Sequence, residues 1–148
     1  MRRLMLLRHA KTEIDSPSGR DQDRRLDARG RKDAAEIGDW IGRHPPFPDV
    51  VMVSPAVRAK ETWDIASAAI KEHAALPEVE WVADLYGADP AQLLGIIRMA
   101  SVSDPKRLML VGHNPGMHEL SLALAGSGDA RGRKALAVFV SPKLLRQA

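Results

Sequence analysis

Leu4-Met5-Leu6-Leu7 is followed without a break by Arg8-His9-Ala10-Lys11-Thr12. A run that is apolar on both faces reads as a strand buried on both sides, at the centre of a parallel sheet rather than at its edge. We place this strand at 2–8. It carries an arginine and a histidine, side by side, to its carboxyl end. Far along the chain, Leu108-Met109-Leu110-Val111 repeats the pattern and delivers Gly112-His113-Asn114. Val50-Val51-Met52-Val53 is a third such run and stops at Ser54-Pro55. In open α/β sheets, ligands bind beyond the carboxyl ends of the strands. Two buried strands that each release a histidine there predict one site built from both.

Between these strands the apolar period changes to that of helices. Asp27 reads as the N-cap of a helix over about 28–42, with Ala34, Ile37 and Ile41 on one face and Trp40 beside them. His44-Pro45-Pro46-Phe47-Pro48 ends it. Ser54 and Pro55 read as N-cap and first residue of a helix running to about 72, with Ala59, Trp63, Ala66 and Ile70 inward. Residues 79–83 form a weaker strand. Asp89 and Gln92 make a capping box around Pro90 for a helix to about 100. After the strand at 107–112, Asn114 and Pro115 start a helix that ends near Gly126-Ser127-Gly128, with Leu120 and Leu124 inward. Residues 135–140 are a last strand, and Lys143–Gln147 a frayed tail. Strand and helix alternate throughout, which predicts a three-layer α/β/α sandwich with a mostly parallel central sheet. The length of 148 residues suits a single domain, 1–148.

Composition narrows the function. No cysteine occurs, so disulfides, thiolate catalysis and cysteine-based zinc sites are all excluded. No apolar run approaches a membrane span, and the short run after Arg2 and Arg3 lacks the form of a signal peptide. The expected compartment is the cytoplasm, and no membrane partner is expected. The net charge is +3. The basic residues are interleaved with acids and aromatics are few, so nucleic acid is not the expected partner. A positive pocket for a phosphorylated substrate accounts for the balance equally well.

Four side chains at three strand exits can do chemistry together: Arg8, His9, Arg58 and His113. Guanidiniums grip phosphoryl oxygens through planar, bidentate hydrogen bonds. A neutral imidazole is a competent nucleophile toward phosphorus. A second imidazole, or imidazolium, can bind charge developing on the transferred group. The cations are built in, so neither a metal nor another cofactor is needed; no His-x-x-x-His spacing supports a zinc site of His9, His113 and a carboxylate. Taken singly, each residue has a plainer reading. His9 would be a surface or capping residue, His113 a turn residue, and Arg58 a solvated charge or a partner of Glu61 or Asp64. The loop 13–26 reads mostly as a solvated surface excursion, and His44, His73 and His118 as structural.

The same residues resemble a known family. Arg8-His9-Ala10-Lys11-Thr12 is similar to the Arg-His-Gly signature of the histidine phosphatase superfamily, which includes the phosphoglycerate mutases. Ser54-Pro55-Ala56-Val57-Arg58-Ala59-Lys60-Glu61-Thr62 resembles its second motif, and Gly112-His113-Asn114-Pro115-Gly116 its third. Ala10 in place of glycine, Arg24-Arg25-Leu26 with Gly30 following, and Leu85-Tyr86 resemble the short SixA-type branch of phosphohistidine phosphatases. Arg25 and Asp27 depart from that branch, where proline and threonine are usual. The resemblance implies a phosphoglycerate mutase-like fold and His9 as the phosphorylated nucleophile. It implies a phosphate pocket of Arg8, Arg58 and His113, lined by Thr12 and Asn114, and a recurring arginine at Arg24. Larger members supply a glutamate as general acid after the third strand, and Asp84 is the nearest carboxylate here. The implied partner is a phosphohistidine-bearing protein such as a histidine phosphotransfer domain, met by a monomer with a shallow, open pocket. Two other activities fit the same residues: hydrolysis of small phosphometabolites, and non-catalytic binding of phosphoproteins.

Overall fold

The computed structural model describes residues 3–100, 104–127 and 136–140. Strand β1 is Arg3–Arg8, helix α1 Ala28–Arg43, β2 Val50–Val53, α2 Val57–Lys71 and β3 Glu78–Trp81. Helix α3 is Pro90–Ala100, β4 Arg107–Gly112, α4 Gly116–Ser127 and β5 Leu136–Val140. Single 3-10 turns occupy Asp21–Asp23 and Ala83–Leu85. The described strands pair in parallel, in the order β3-β2-β4-β1-β5. The α/β class and the parallel sheet therefore follow the sequence reading. The expected tail at 143–147 lies outside the described residues.

Alternation along the strands builds two cores. Leu4, Leu6, Leu108 and Leu110 pack on one face against Leu93 and Ile97 of α3 and Met117 and Leu120 of α4. Leu7, Val51, Val53, Met109 and Val111 pack on the other against Ile37 and Ile41 of α1 and Ala59, Trp63 and Ile70 of α2. Burying residues on both sides of each strand is why the runs are apolar throughout rather than alternating. Helices α1 and α2 lie so close at Gly38 that any Cβ there would collide with the Ala66 backbone.

The helix ends are mostly those the sequence announces. The Asp27 carboxylate accepts from Gly30 N at 2.7 Å. Asp89 and Gln92 exchange reciprocal bonds at 2.9 and 2.7 Å, a capping box in full. The start of α2 differs from expectation. Ser54 does not cap it: the helix begins at Val57, after an extended Ala56. The Ser54 hydroxyl is occupied elsewhere, accepting from Ala56 N at 3.3 Å and meeting a ring nitrogen of His113 at 2.7 Å. Helix α4 likewise begins at Gly116 rather than at Asn114.

Candidate active site

Register places the two histidines. Arg8 of β1 stands opposite Gly112 of β4, so His9 and His113 leave neighbouring strands at the same level. His9 N donates to the Gly112 carbonyl at 3.0 Å, and the imidazole centroids lie 5.3 Å apart. Val53 of β2 stands opposite Val111, which sets Ser54 beside His113. The order β2-β4-β1 thus gathers three strand exits into one pocket.

The bonds around the His9 ring assign its hydrogen. His9 Nδ1 lies 2.8 Å from the Ala10 carbonyl, which can only accept, so Nδ1 carries the hydrogen and Nε2 keeps its lone pair. Ser54 Oγ accepts from Ala56 N and lies 2.7 Å from His113 Nε2, and this contact fixes the orientation of the His113 ring. Burial pushes the His9 pKa down to about 4, assisted by the charges of Arg58, Arg8 and Arg24 and opposed by the Ala10 carbonyl. Burial also pushes His113 down, to about 3, with His9 and Arg58 adding to the effect and Asp21 opposing it. Both rings are therefore neutral at pH 7, as a nucleophile and a neutral donor require.

This neutrality is directly measurable. In an NMR titration, the ring protons of His9 and His113 should stay at their neutral shifts from pH 8 down to about pH 5. Midpoints near 6.5 would contradict the buried, cation-flanked environment. The sign for stability follows. The unfolded chain binds these protons near 6.5 and the folded chain near 4 and 3, so stability is complete above about pH 6.5 and falls as the solution is acidified.

A cluster of cations surrounds the rings. Arg58, in the second residue of α2, is only 6% exposed. Its Nη1 donates to the Asp21 carbonyl at 2.8 Å and its Nη2 to Asp21 Oδ2 at 2.9 Å. Arg24 donates to Thr12 Oγ1 at 2.7 Å and pairs with Asp21 Oδ1 at 3.3 Å. The Tyr86 hydroxyl donates to Asp21 Oδ2 at 2.6 Å. The Tyr86 ring meets His113 edge-on at 5.5 Å and lies 5.7 Å from the Arg58 guanidinium carbon. Among the described residues, four buried side-chain polar atoms lack a partner, and three of them are Arg24 Nε, Arg58 Nε and His113 Nδ1. Buried donors are almost always satisfied, so the two unpartnered guanidinium nitrogens mark this cationic cluster as a candidate place for an anion.

A profile of the histidine phosphatase superfamily (branch 1) matches residues 4–93. The chain belongs to that superfamily. Of the solved structures, a protein of Agrobacterium tumefaciens with the provisional name phosphohistidine phosphatase SixA is 31% identical, with a TM-score of 0.70 over 80% of this chain and 74% of that one. A Nakamurella protein with the same provisional name is 26% identical, with a TM-score of 0.68 over 88% and 72%. An Escherichia coli protein provisionally called an α-ribazole-5'-phosphate phosphatase is 17% identical, with a TM-score of 0.59 over 82% and 79%, and shares the fold. A chloroplast protein of Arabidopsis thaliana, itself uncharacterized, is 32% identical over 85% of this chain; the chain spans 60% of that relative.

Within this member of the superfamily, the sequence-predicted residues separate into groups. His9, Arg58 and His113 meet in the pocket, and Arg8 is close enough to depress the His9 pKa. Thr12 reaches the site indirectly, by holding Arg24. Asn114 is exposed and its Oδ1 accepts from His118 N at 3.1 Å, at the start of α4. Asp84 is exposed on a groove with Met52, Gln92, Ile96 and Met99, and the carboxylate among the cations is Asp21 instead. Arg58 does not pair with Glu61. That carboxylate accepts from Leu26 N at 2.9 Å and Arg31 at 2.6 Å, and so ties the loop 13–26 to α2.

Asp21 is thus the site residue that the sequence reading missed; Arg24 and Tyr86 entered only through the family resemblance, and Ser54 only as a helix cap. The loop 13–26 is no mere surface excursion, because it carries Asp21 and Arg24 into the pocket. One signal was present: Gly30 follows the Arg24-Arg25-Leu26 stretch, and any Cβ there would collide with the Lys11 carbonyl. Asp27 N donates to the same carbonyl at 3.0 Å. The loop is therefore pinned at its end against the Arg-His turn.

Proposed function

We propose that this histidine phosphatase removes phosphate from protein phosphohistidine through a phosphorylated His9. The observation that carries the reading is the His9 ring: its Nδ1–H is held by the Ala10 carbonyl, freeing Nε2 beside His113 and among the guanidiniums. A phosphoryl dianion would seat on Arg8, Arg24, Arg58 and His113. His9 Nε2 attacks phosphorus in line as the substrate's P–N bond breaks, and that electron pair returns to the departing ring nitrogen. Water then attacks phospho-His9. The Nε2–P bond breaks, Nε2 regains its lone pair, and the water proton leaves with phosphate or solvent.

Two features favour a P–N bond over a P–O bond. First, among the described residues no carboxylic acid stands in the cluster ready to protonate an alkoxide. Bonds from Tyr86, and then Arg58, hold the Asp21 pKa below the usual carboxylate range, so it stays ionised. Second, the mouth is open, with Tyr86 37% exposed and shallow grooves of about 740 and 500 Å³ on either side. An imidazole standing on another protein's surface can reach such a mouth. The kinship with SixA-named proteins supports the same substrate class. Hydrolysis of small phosphometabolites is the second reading, favoured by the fold shared with the α-ribazole-phosphate enzyme.

The experiment is a comparison of kcat/KM for a phosphorylated histidine phosphotransfer domain and for sugar and alkyl phosphates. A positioned general acid is worth roughly 10²–10⁴-fold, so its lack should disfavour the esters by about that factor. A sugar phosphate with the higher kcat/KM would make the second reading the correct one.

A further inference from the structure

Asp21 is an anion placed in a pocket for anions, and neither general acid catalysis nor phosphate binding accounts for it. Its position relative to the pocket floor does. Arg58 and His113 are 6% and 7% exposed and form the floor, whereas the Asp21 side chain is 54% exposed. A phosphoryl group that descends to the floor leaves its substituent at the mouth. In-line attack by His9 also requires the leaving group to depart away from His9.

We propose that the Asp21 carboxylate, fixed at the pocket mouth by Tyr86, Arg24 and Arg58, accepts the N–H of the substrate's protonated imidazole ring and so selects phosphohistidine over phosphate esters. The proposal rests on the phosphohistidine reading above and deepens it. A carboxylate offers about four acceptor sites. Arg24 uses one on Oδ1, and Arg58 and Tyr86 use two on Oδ2, which leaves one open on an exposed side chain. A phosphohistidine ring protonated on its other nitrogen supplies the missing donor. When its P–N bond breaks, the electron pair returns to the ring nitrogen that held phosphorus and the imidazole leaves neutral, keeping its proton. An ester offers no N–H, and its departing oxygen gains negative charge beside a carboxylate. The charged and titratable groups facing Asp21 are Arg24 on its own loop, Arg58 on α2, Tyr86 after β3 and, through space, His113 after β4.

The test compares Asp21→Asn and Asp21→Glu with the native chain, using a phosphorylated histidine phosphotransfer domain and 4-nitrophenyl phosphate as substrates. In Asp21→Asn, the ratio of the two kcat/KM values should fall by about tenfold, the range for losing a hydrogen bond to a charged group. Asp21→Glu should recover part of that ratio. The loss should shrink below about pH 6, where the substrate ring is protonated without help. An equal loss on both substrates, at every pH, would overturn the proposal and leave Asp21 as a brace for the arginines. A native protein that hydrolyses sugar phosphates but not the phosphorylated domain would overturn the phosphohistidine reading and this proposal together.

Discussion

Replacing His9 by alanine should lower turnover by at least about 10⁴-fold, because the covalent route disappears rather than weakens. Among the described residues the side chain makes one hydrogen bond, to the carbonyl of the next residue, so little of the fold depends on it. The thermal midpoint of His9→Ala should therefore stay close to that of the native chain. Affinity for an unreactive oxyanion such as tungstate should also persist, since Arg8, Arg24, Arg58 and His113 remain. Steady-state kinetics, a melting curve and an oxyanion titration check the three parts separately. A variant that keeps a tenth of the native activity would show that His9 is not the nucleophile.

The second large effect is expected at Arg58. Arg58→Ala should lower kcat by about 10²–10³-fold, the loss typical of removing one preorganised donor from a transition-state pocket. Arg58 has a second task that His9 lacks. Its Nη1 and Nη2 both grip Asp21, one through the backbone carbonyl and one through the carboxylate. Without it, the 3-10 turn at Asp21–Asp23 loses its anchor to α2, so KM should rise along with the fall in kcat. Arg58→Lys separates the contributions. It keeps the charge but loses the planar fork, so it should recover only part of the activity. Full recovery in the lysine variant would show that charge alone matters. Loss of folding in both variants, with no soluble protein to assay, would make Arg58 a structural residue.

The parts of this molecule legible in the sequence are those that a local pattern controls. Continuous apolar runs at 4–7, 50–53 and 108–111 gave the central strands, because burial on two faces permits no polar alternation there. The inward stripe Ala59, Trp63, Ala66 and Ile70 is buried as its spacing requires. His9, Arg58 and His113 were accessible because each stands at or just past the end of such a run. Arg24 and Asp21 were less so. They sit in a polar loop whose composition resembles any solvated surface, and long-range bonds to Thr12, Arg58 and Tyr86 alone give them their place. Asp84 was singled out by its position after β3. The short turn at Ala83–Leu85 instead leaves it exposed and carries Tyr86 to the site. Ser54 looked like a helix cap because Ser-Pro pairs commonly open helices. A histidine just past the end of the adjacent strand, 59 residues away in sequence, occupies the hydroxyl instead.

The central claim is covalent, and trapping tests it most directly. The native protein is mixed with a phosphorylated histidine phosphotransfer domain, quenched in base after milliseconds to seconds, and digested for mass spectrometry while phosphate release is followed in parallel. The account predicts alkali-stable, acid-labile phosphate on His9, forming before free phosphate appears and missing from His9→Ala. Phosphate release at the native rate from His9→Ala, or phosphate trapped on His113 rather than His9, would contradict it.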